Sequence, residues 1–447
     1  MIQEKTDSAI QKMIEKNPGE TEFLQAIRDT YRYLIPYIEN HPKYDDFNIL
    51  ERLSQPDRII TFRVTWEDDH GKIHNNTGYR VQHCNAIGPY KGGLRFHPSV
   101  NLSILKFLAY EQTFKNSLTG LPLGGGKGGS DFDPKGKSDT EIKRFCQAFM
   151  TELSKHIGPY VDVPAGDIGV GAREVSYLFG EYKRLTNRFD GVITGKGLNF
   201  GGSQARLEAT GYGTVYMLDL ALKYKQKHIQ NMTCTLSGSG NVSLFALEKL
   251  IQMGAKAVTL SDSSGFIHDP EGFDLEKLHV LKNIKLRDRK RISAYTDHYP
   301  HAVFYANQRP WIIPCDCAIP CATENEIDEN DMATLIKNGC IAVAEGANMP
   351  TTHDAKHLLP EEDFIYIPGI AANAGGVAVS GIEMAQNSSF TPLTHDEVDS
   401  KLKRIMANIH HQCEQYGTND NGHIDYEKGA TIAGFIKVAD ALIHLGV

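Results

Sequence analysis

Apolar residues early in the chain recur every three or four positions. Phe23, Leu24, Ile27, Tyr31, Leu34 and Ile35 form one stripe, so residues 1–57 are expected to be helical. The period then drops to two. Ile60, Phe62, Val64 and Trp66 alternate with Thr61, Arg63 and Thr65. The turn residues Asp68-Asp69-His70-Gly71 follow, and Tyr79, Val81 and His83 alternate on the way back, which predicts a hairpin. The helical period returns over residues 101–117 and around 141–156, with a short strand expected at 160–163. Beyond residue 201, strands expected at 232–236, 257–260, 311–313, 316–319 and 341–344 alternate with helical segments, one of them at 242–253. Residues after Asn373 read as helices. Strands alternating with helices imply a mostly parallel sheet covered on both faces.

Composition narrows this picture. Of 447 residues, 41% are hydrophobic and 23% charged, as in a globular protein, and the net charge is −8. That balance argues against duplex nucleic-acid binding but leaves room for a local basic pocket that takes a small anion. No run approaches the ~18–20 apolar residues of a membrane helix. The first twenty residues carry acids and no apolar stretch, unlike a secretory or transit peptide. Eight cysteines are too few for a disulfide framework, so a reduced, cytoplasmic protein is expected. The 41 glycines are clustered, and the clusters hold the candidate chemistry.

Gly238-Ser239-Gly240-Asn241-Val242-Ser243 lies between a strand and a helix, the setting of a dinucleotide loop, with small Ser243 at the third glycine position. Asp262 follows at the end of the next strand, where a ribose contact belongs. Downstream, Lys282, Lys285, Arg287, Arg289, Lys290 and Arg291 form a basic stretch. It suits a 2′-phosphate and hence NADP, with NAD the alternative; a solvated helix face is the plainer reading. Leu123-Gly124-Gly125-Gly126-Lys127-Gly128-Gly129-Ser130 is not a triphosphate loop, because Leu121 and Gly128 occupy positions that need Gly and Ser/Thr. It reads as a loop that surrounds Lys127 with bare backbone, and Tyr90-Lys91-Gly92-Gly93-Leu94-Arg95 reads as a second of the same make. With Gln112 and Lys115 between them on one helix face, Lys91, Lys115 and Lys127 are either a pocket for a small dianion or three scattered surface lysines. Asp167, in Pro164-Ala165-Gly166-Asp167, is either a proton carrier or the N-cap of the next helix. Cys315, Cys317 and Cys321 lack a second ligand cluster at a zinc spacing and read as buried strand residues, with no metal expected.

Taken in order, Lys91-Gly92-Gly93-Leu94-Arg95, the 123–129 block, Val163-Pro164-Ala165-Gly166-Asp167, Glu208-Ala209-Thr210-Gly211-Tyr212-Gly213, Gly238-Ser239-Gly240-Asn241-Val242, Pro320-Cys321-Ala322-Thr323 and Glu345-Gly346-Ala347-Asn348 strongly resemble hexameric glutamate dehydrogenases of the bacterial and lower-eukaryote type. The resemblance covers essentially the whole chain. It implies that Lys127 is the catalytic lysine, kept neutral by its cationic neighbours, and that Asp167 carries protons to and from the amino nitrogen. It implies further that Lys91 and Ser380 bind the distal carboxylate of glutamate; the seven-residue spacing puts Asn373 and Ser380 on one face of an expected helix. Gln112 and Lys115 would hold the α-carboxylate, with Asn373 nearby and Gly166 in the same pocket. Thr210 and Asn348 would fix the nicotinamide end, Gly238, Gly240 and Asn241 the pyrophosphate, and Asp262, Ser263 and Ser264 the adenosine ribose, with Ser239, Val242 and Lys285 also expected to bind the cofactor. Ile370 stands where members often carry lysine.

The expected fold is therefore α/β with two domains and a cleft between them. One is a substrate-binding and assembly domain, 1–201, with 425–447 returning to it; the other is a Rossmann-like domain with hinge helices, 202–424. The implied activity is reversible deamination of L-glutamate to 2-oxoglutarate and ammonium, used for ammonia assimilation by a homohexamer. Hydride leaves Cα, Lys127 activates a water that attacks the iminium, and the carbinolamine collapses. The alternatives are the NAD-dependent enzyme, a leucine, phenylalanine or valine dehydrogenase, and a dinucleotide-binding regulator without chemistry.

Overall fold

The computed structural model describes residues 2–360 and 363–446, with side chains from residue 7 onward. The chain divides into two compact units. The first comprises Met1–Arg206, Val379–Val398 and Thr431–Val447, the second Leu207–Ala378 and Asp399–Ala430. Relative to the expected 1–201 with 425–447, the first unit thus also takes in residues 379–398, most of them from the helix Gly375–Ser389.

The first unit is built on a five-stranded sheet in the order Arg58–Glu67, Ile73–Cys84, Gly125–Ser130, Tyr90–Phe96, Asp162–Gly166. The first two strands form the expected hairpin, with Trp66 opposite His74. Asp68 closes its turn by accepting the backbone N–H groups of His70 and Lys72, both at 2.9 Å. The sheet changes sense at Gly125–Ser130, which runs antiparallel to Ile73–Cys84 and parallel to Tyr90–Phe96. One face carries an aromatic core in which Trp66, Phe96, Phe132, Phe145 and Phe149 join apolar residues of the helices Asp139–Leu153 and Ala172–Thr186. The helix Leu102–Leu118 packs through Leu105 and Ala109 against Val81 and Val100.

Both glycine-lysine segments, expected as loops, are interior strands buried at every residue. The reason is close approach. A Cβ on Gly92 would sit 1.6 Å from the carbonyl oxygen of Gly126, and one on Gly125 would sit 1.9 Å from Thr113 Oγ1 of the covering helix. Glycine is the residue that lets two strands and a helix meet at this spacing. The strand expected at 160–163 is displaced to Asp162–Gly166, leaving Tyr160 and Val161 exposed before it.

The second unit holds a five-stranded sheet, all of it parallel, in the order Ile365–Ile367, Ala342–Ala344, Cys317–Ile319, Thr233–Leu236, Lys256–Ala257. Strand order reverses at Thr233–Leu236: the next strand of this sheet in the chain, Lys256–Ala257, lies on one side of it and the one after, Cys317–Ile319, on the other. In a parallel α/β sheet such a switch point opens a crevice at the strand's carboxyl end, and that end is Ser237-Gly238. The strand expected at 257–260 breaks at Val258. Its continuation, Thr259–Asp262, forms an antiparallel three-stranded sheet with Gly265–His268 and Val303–Ala306. Trp311, expected in a strand, lies in the short turn Pro310–Ile312, with its indole fully buried in an apolar cluster. Asn373 ends the short helix Gly369–Ala372, and a new helix starts at Gly375. Asn373 and Ser380 therefore do not share one continuous helix, contrary to the reading from their spacing.

Candidate active site and dinucleotide site

In the first unit, side chains alternate along the strand Tyr90–Phe96, so Lys91, Gly93 and Arg95 share a face. Lys91 is 1% exposed and donates from Nζ to Thr194 Oγ1 at 2.8 Å. Burial, then the charges of Arg206 and Arg80, push its ammonium well below the usual lysine range. Arg206 donates from Nε to Ser380 Oγ at 2.9 Å. These two cations meet hydroxyls, whereas their neighbours are neutralised. Arg80 is fully buried against Asp162, with Nε to Oδ2 at 2.9 Å. Lys196 is fully buried against Glu383 at 2.7 Å, one turn beyond Ser380 on the same helix. Two desolvated cations facing two hydroxyls form a site for a carboxylate. Thr194 and Arg206 were not expected here. They come from segments 103 and 174 residues distant from their partners, a separation that leaves no spacing signal.

Lys115 and Gln112 lie on the covering helix, and Lys115 is buried in its last turn. Asn116 beside them donates to the carbonyls of Lys91, at 3.0 Å, and Gly124. It also accepts from Gln112 Nε2 at 2.6 Å, so one amide ties the helix to the strand Tyr90–Phe96 and to Gly124, just before the strand Gly125–Ser130.

Lys127 lies in the strand Gly125–Ser130, is 3% exposed, and places Nζ 3.1 Å from Asp167 Oδ2. Arg95 Nε donates to the same oxygen at 2.8 Å. Burial alone would raise the Asp167 carboxyl, but the charges of Lys127 and then Arg95 override it and hold it below the carboxylate range. Gly93 keeps this corner open, since a Cβ there would stand 2.9 Å from Asp167 Cβ and 3.4 Å from Lys127 Nζ. The N-cap alternative for Asp167 fails. The next helix begins at Ala172 and is capped at Gly171, whose N–H meets Glu174 Oε2 at 2.9 Å. Gly166, the last residue of the strand, delivers Asp167 to the pair. Lys127 thus faces an anion as well as a cation, which differs from the wholly cationic setting expected for it.

In the second unit, Gly238 has φ +79°, a left-handed turn open to glycine, and Gly240 caps the helix Asn241–Gln252. That helix start directs backbone N–H groups toward an anion. Ser243, the small residue in the third glycine position, is fully buried and bonds back to the Gly240 carbonyl at 3.1 Å. Thr210 opens the helix Ala209–Tyr224. Asn348 accepts from Asn373 Nδ2 at 2.9 Å, and the same amide donates to the Ala347 carbonyl at 3.0 Å. Asn373 Oδ1 is left buried without a partner, so what Asn373 has to offer is an acceptor, which suits an N–H better than a carboxylate.

Asp262 is already saturated. Its Oδ1 accepts from Ser264 N at 2.9 Å and Ser264 Oγ at 2.5 Å. Its Oδ2 accepts from Lys285 Nζ at 3.0 Å and Ile292 N at 2.8 Å. Burial raises this carboxyl, but the Ser264, Ile292 and Lys285 bonds win and bring it down to about 2. Four donors within the chain leave it little capacity for a ribose hydroxyl. It instead holds Lys285 and the 263–264 turn, and Arg291 Nη1 meets Ser263 Oγ at 2.6 Å. Ser263, Lys285 and Arg291 together present donors suited to a phosphate. This glycine turn, helix start and cationic corner fit a dinucleotide bearing a 2′-phosphate.

All eight cysteines are unpaired and buried, Cys315, Cys317 and Cys321 among them. Among the described residues one group of three, Asp269, Glu271 and His301, could hold a cation. Its inner carboxylate is already bound by Lys277 at 2.9 Å and Tyr295 at 2.7 Å. No described helix is long and apolar enough to cross a membrane.

Residues 201–446 match the family described as Glutamate/Leucine/Phenylalanine/Valine dehydrogenase, and residues 56–184 match its dimerisation domain. An NAD(P)-specific glutamate dehydrogenase of Xylanibacter ruminicola is 55% identical over 99% of this chain and 100% of its own. The NADP-specific glutamate dehydrogenase of Salmonella typhimurium is 53% identical over 99% of this chain and 98% of its own. The crystal structure of Plasmodium falciparum glutamate dehydrogenase superposes with a TM-score of 0.97 at 50% identity, covering 100% of this chain and 95% of that one. The chain belongs to the glutamate/leucine/phenylalanine/valine dehydrogenase family, among its glutamate dehydrogenases.

Proposed function

We propose that this protein catalyses reversible oxidative deamination of L-glutamate to 2-oxoglutarate and ammonium with NADP. The observation that carries this reading is the contact of Lys127 Nζ with Asp167 Oδ2 at 3.1 Å, in the same unit as Lys91 and Arg206, which meet hydroxyls and, among the described residues, no carboxylate. Bound NADP supplies the hydride acceptor. Lys91, Arg206, Ser380 and Thr194 grip the distal carboxylate, and Gln112 and Lys115 the α-carboxylate. Lys127 gives up its proton and then takes one from the water that attacks the oxidised carbon. Asp167, an anion beside it, passes protons to and from the departing nitrogen. Gly238, Ser239, Gly240, Asn241 and Val242 would hold the pyrophosphate, Thr210 and Asn348 the nicotinamide end, and Ser263, Ser264, Lys285 and Arg291 the phosphorylated ribose.

A leucine, phenylalanine or valine dehydrogenase would not bury two cations that lack carboxylate partners at the substrate's far end. The double variant K91L/S380V is therefore expected to lose about 10²–10³ in kcat/KM for glutamate, while norleucine gains relative to it. Glutamate remaining preferred by a wide margin would refute the carboxylate assignment.

Because Lys91 is depressed, its positive charge is present at low pH and is lost as pH rises through its folded value. KM for glutamate is expected to rise with pH in steady-state assays. K91R, charged throughout, is expected to flatten that rise.

For the cofactor, K285E with R291S is expected to raise KM for NADP by roughly 10–100-fold and leave NAD nearly unchanged in initial-rate comparisons. Equal losses with both cofactors would contradict a 2′-phosphate site.

The assembly is read as a homohexamer and the location as the cytoplasm. The matched dimerisation domain supports self-association, and the unpaired thiols support a reducing compartment. Light scattering is expected to give a mass about six times 49.7 kDa. NADP use suits the direction that assimilates ammonium.

A further inference from the structure

Two cations meet one oxygen of Asp167. Arg95 Nε lies 2.8 Å from Oδ2, and Lys127 Nζ lies 3.1 Å from it. The other oxygen, Oδ1, takes part in neither contact. The two cations differ in kind: a lysine must release its proton to act as a base, while a guanidinium keeps its charge at any working pH. When Lys127 is neutral, Asp167 would be a buried carboxylate with no counter-charge if Arg95 were absent. It would then retain the proton itself, and the pair would carry one proton that neither substrate nor water could use.

Resting on the reading of Asp167 as proton carrier, we propose that Arg95 is a positioning residue of the reaction. It anchors Asp167 through Oδ2, leaves Oδ1 for the substrate nitrogen, and sets whether the Lys127–Asp167 pair is emptied of its proton or shares it. Arg95 is 5% exposed, on the same strand face as Lys91 and Gly93, so its guanidinium is held by the sheet that carries Lys127. The depression of Asp167 by Lys127 and Arg95 agrees with this. Among the described residues, the charges that act most on Asp167 are those of Lys127 and Arg95. Lys127 faces it from one strand and Arg95 from another, and its own loop, Ile168-Gly169-Val170, carries none. On the following helix, Arg173 and Glu174 are paired with each other at 2.8 Å.

Removing the Arg95 charge makes Asp167 easier to protonate and the neighbouring ammonium harder to deprotonate. Both effects move the active, deprotonated pair to higher pH. The test is the pH profile of kcat/KM for glutamate, measured on the full chain with R95Q, R95K and D167N. R95Q is expected to shift the acid limb upward by about one unit or more, and R95K to leave the limb within about 0.3 unit, with kcat lowered less than about tenfold. A uniform loss in R95Q with the limb unmoved would mean that Arg95 only supports the fold, and would overturn the inference. Should R95Q fail to fold, R95K decides: a displaced limb, or a loss beyond about tenfold, overturns it. D167N separates the two levels. If it stays near normal, the proton-carrier reading itself fails; if it is inactive while R95Q shows no shift, the Arg95 inference alone fails.

Discussion

Replacing Lys127 by alanine is expected to reduce turnover by at least ~10⁴-fold while leaving NADP affinity within about twofold. On the proposed reading Lys127 supplies the amine that activates water, and among the described residues no other lysine is placed on Asp167 Oδ2. The variant should fold, because Asp167 keeps its Arg95 partner at 2.8 Å and is not left as an unpaired buried anion. Cofactor affinity should survive, because the glycine turn at Gly238 and the cation corner of Lys285 and Arg291 belong to the second unit and Lys127 to the first. Rates under saturating substrates, with cofactor binding followed by fluorescence titration, check both halves. Parallel loss of binding and turnover would identify Lys127 as a structural residue.

The second large effect is expected from D167N, with kcat down by about 10³-fold. Asparagine is nearly isosteric and still offers an acceptor to Arg95, but it cannot carry a proton or balance the Lys127 charge. Since the helix Ala172–Thr186 takes its cap from Gly171 and Glu174, this substitution removes no cap bond; it does take the anion from the buried cations Lys127 and Arg95, so the thermal midpoint should fall by several degrees. A variant with normal kcat would return Asp167 to a purely local role.

Parts of this architecture are legible in the chain itself and parts are not. The hairpin through Trp66 and His74 follows from strict alternation, and the Gly238 turn from its place between a strand and a helix. The two glycine-lysine strands were not legible as strands. Glycine contributes nothing to a hydrophobic period, and what makes Gly92 and Gly125 buried is the nearness of Gly126 and Thr113, contacts that only the folded sheet creates. Arg95 did carry a signal in the alternation Lys91, Gly93, Arg95, which becomes visible once that segment is known to be a strand. Thr194 and Arg206 carried none. Asp262 was placed at the right corner by its offset from the glycine turn, but its saturation by Ser264, Lys285 and Ile292 depends on a hairpin that the broken second strand makes possible. The helix break at Asn373 was hidden because Gly369–Ala372 and Gly375–Ser389 read as one apolar run.

The most direct test of the central claim is NADPH oxidation by the purified chain with 2-oxoglutarate and ammonium, run side by side for the wild type and K127A. Rapid oxidation that needs both substrates is expected from the wild type, and none above background from the variant. Oxidation that proceeds equally well in K127A, or a wild type inert with 2-oxoglutarate yet active with a branched-chain oxo acid, would contradict the claim.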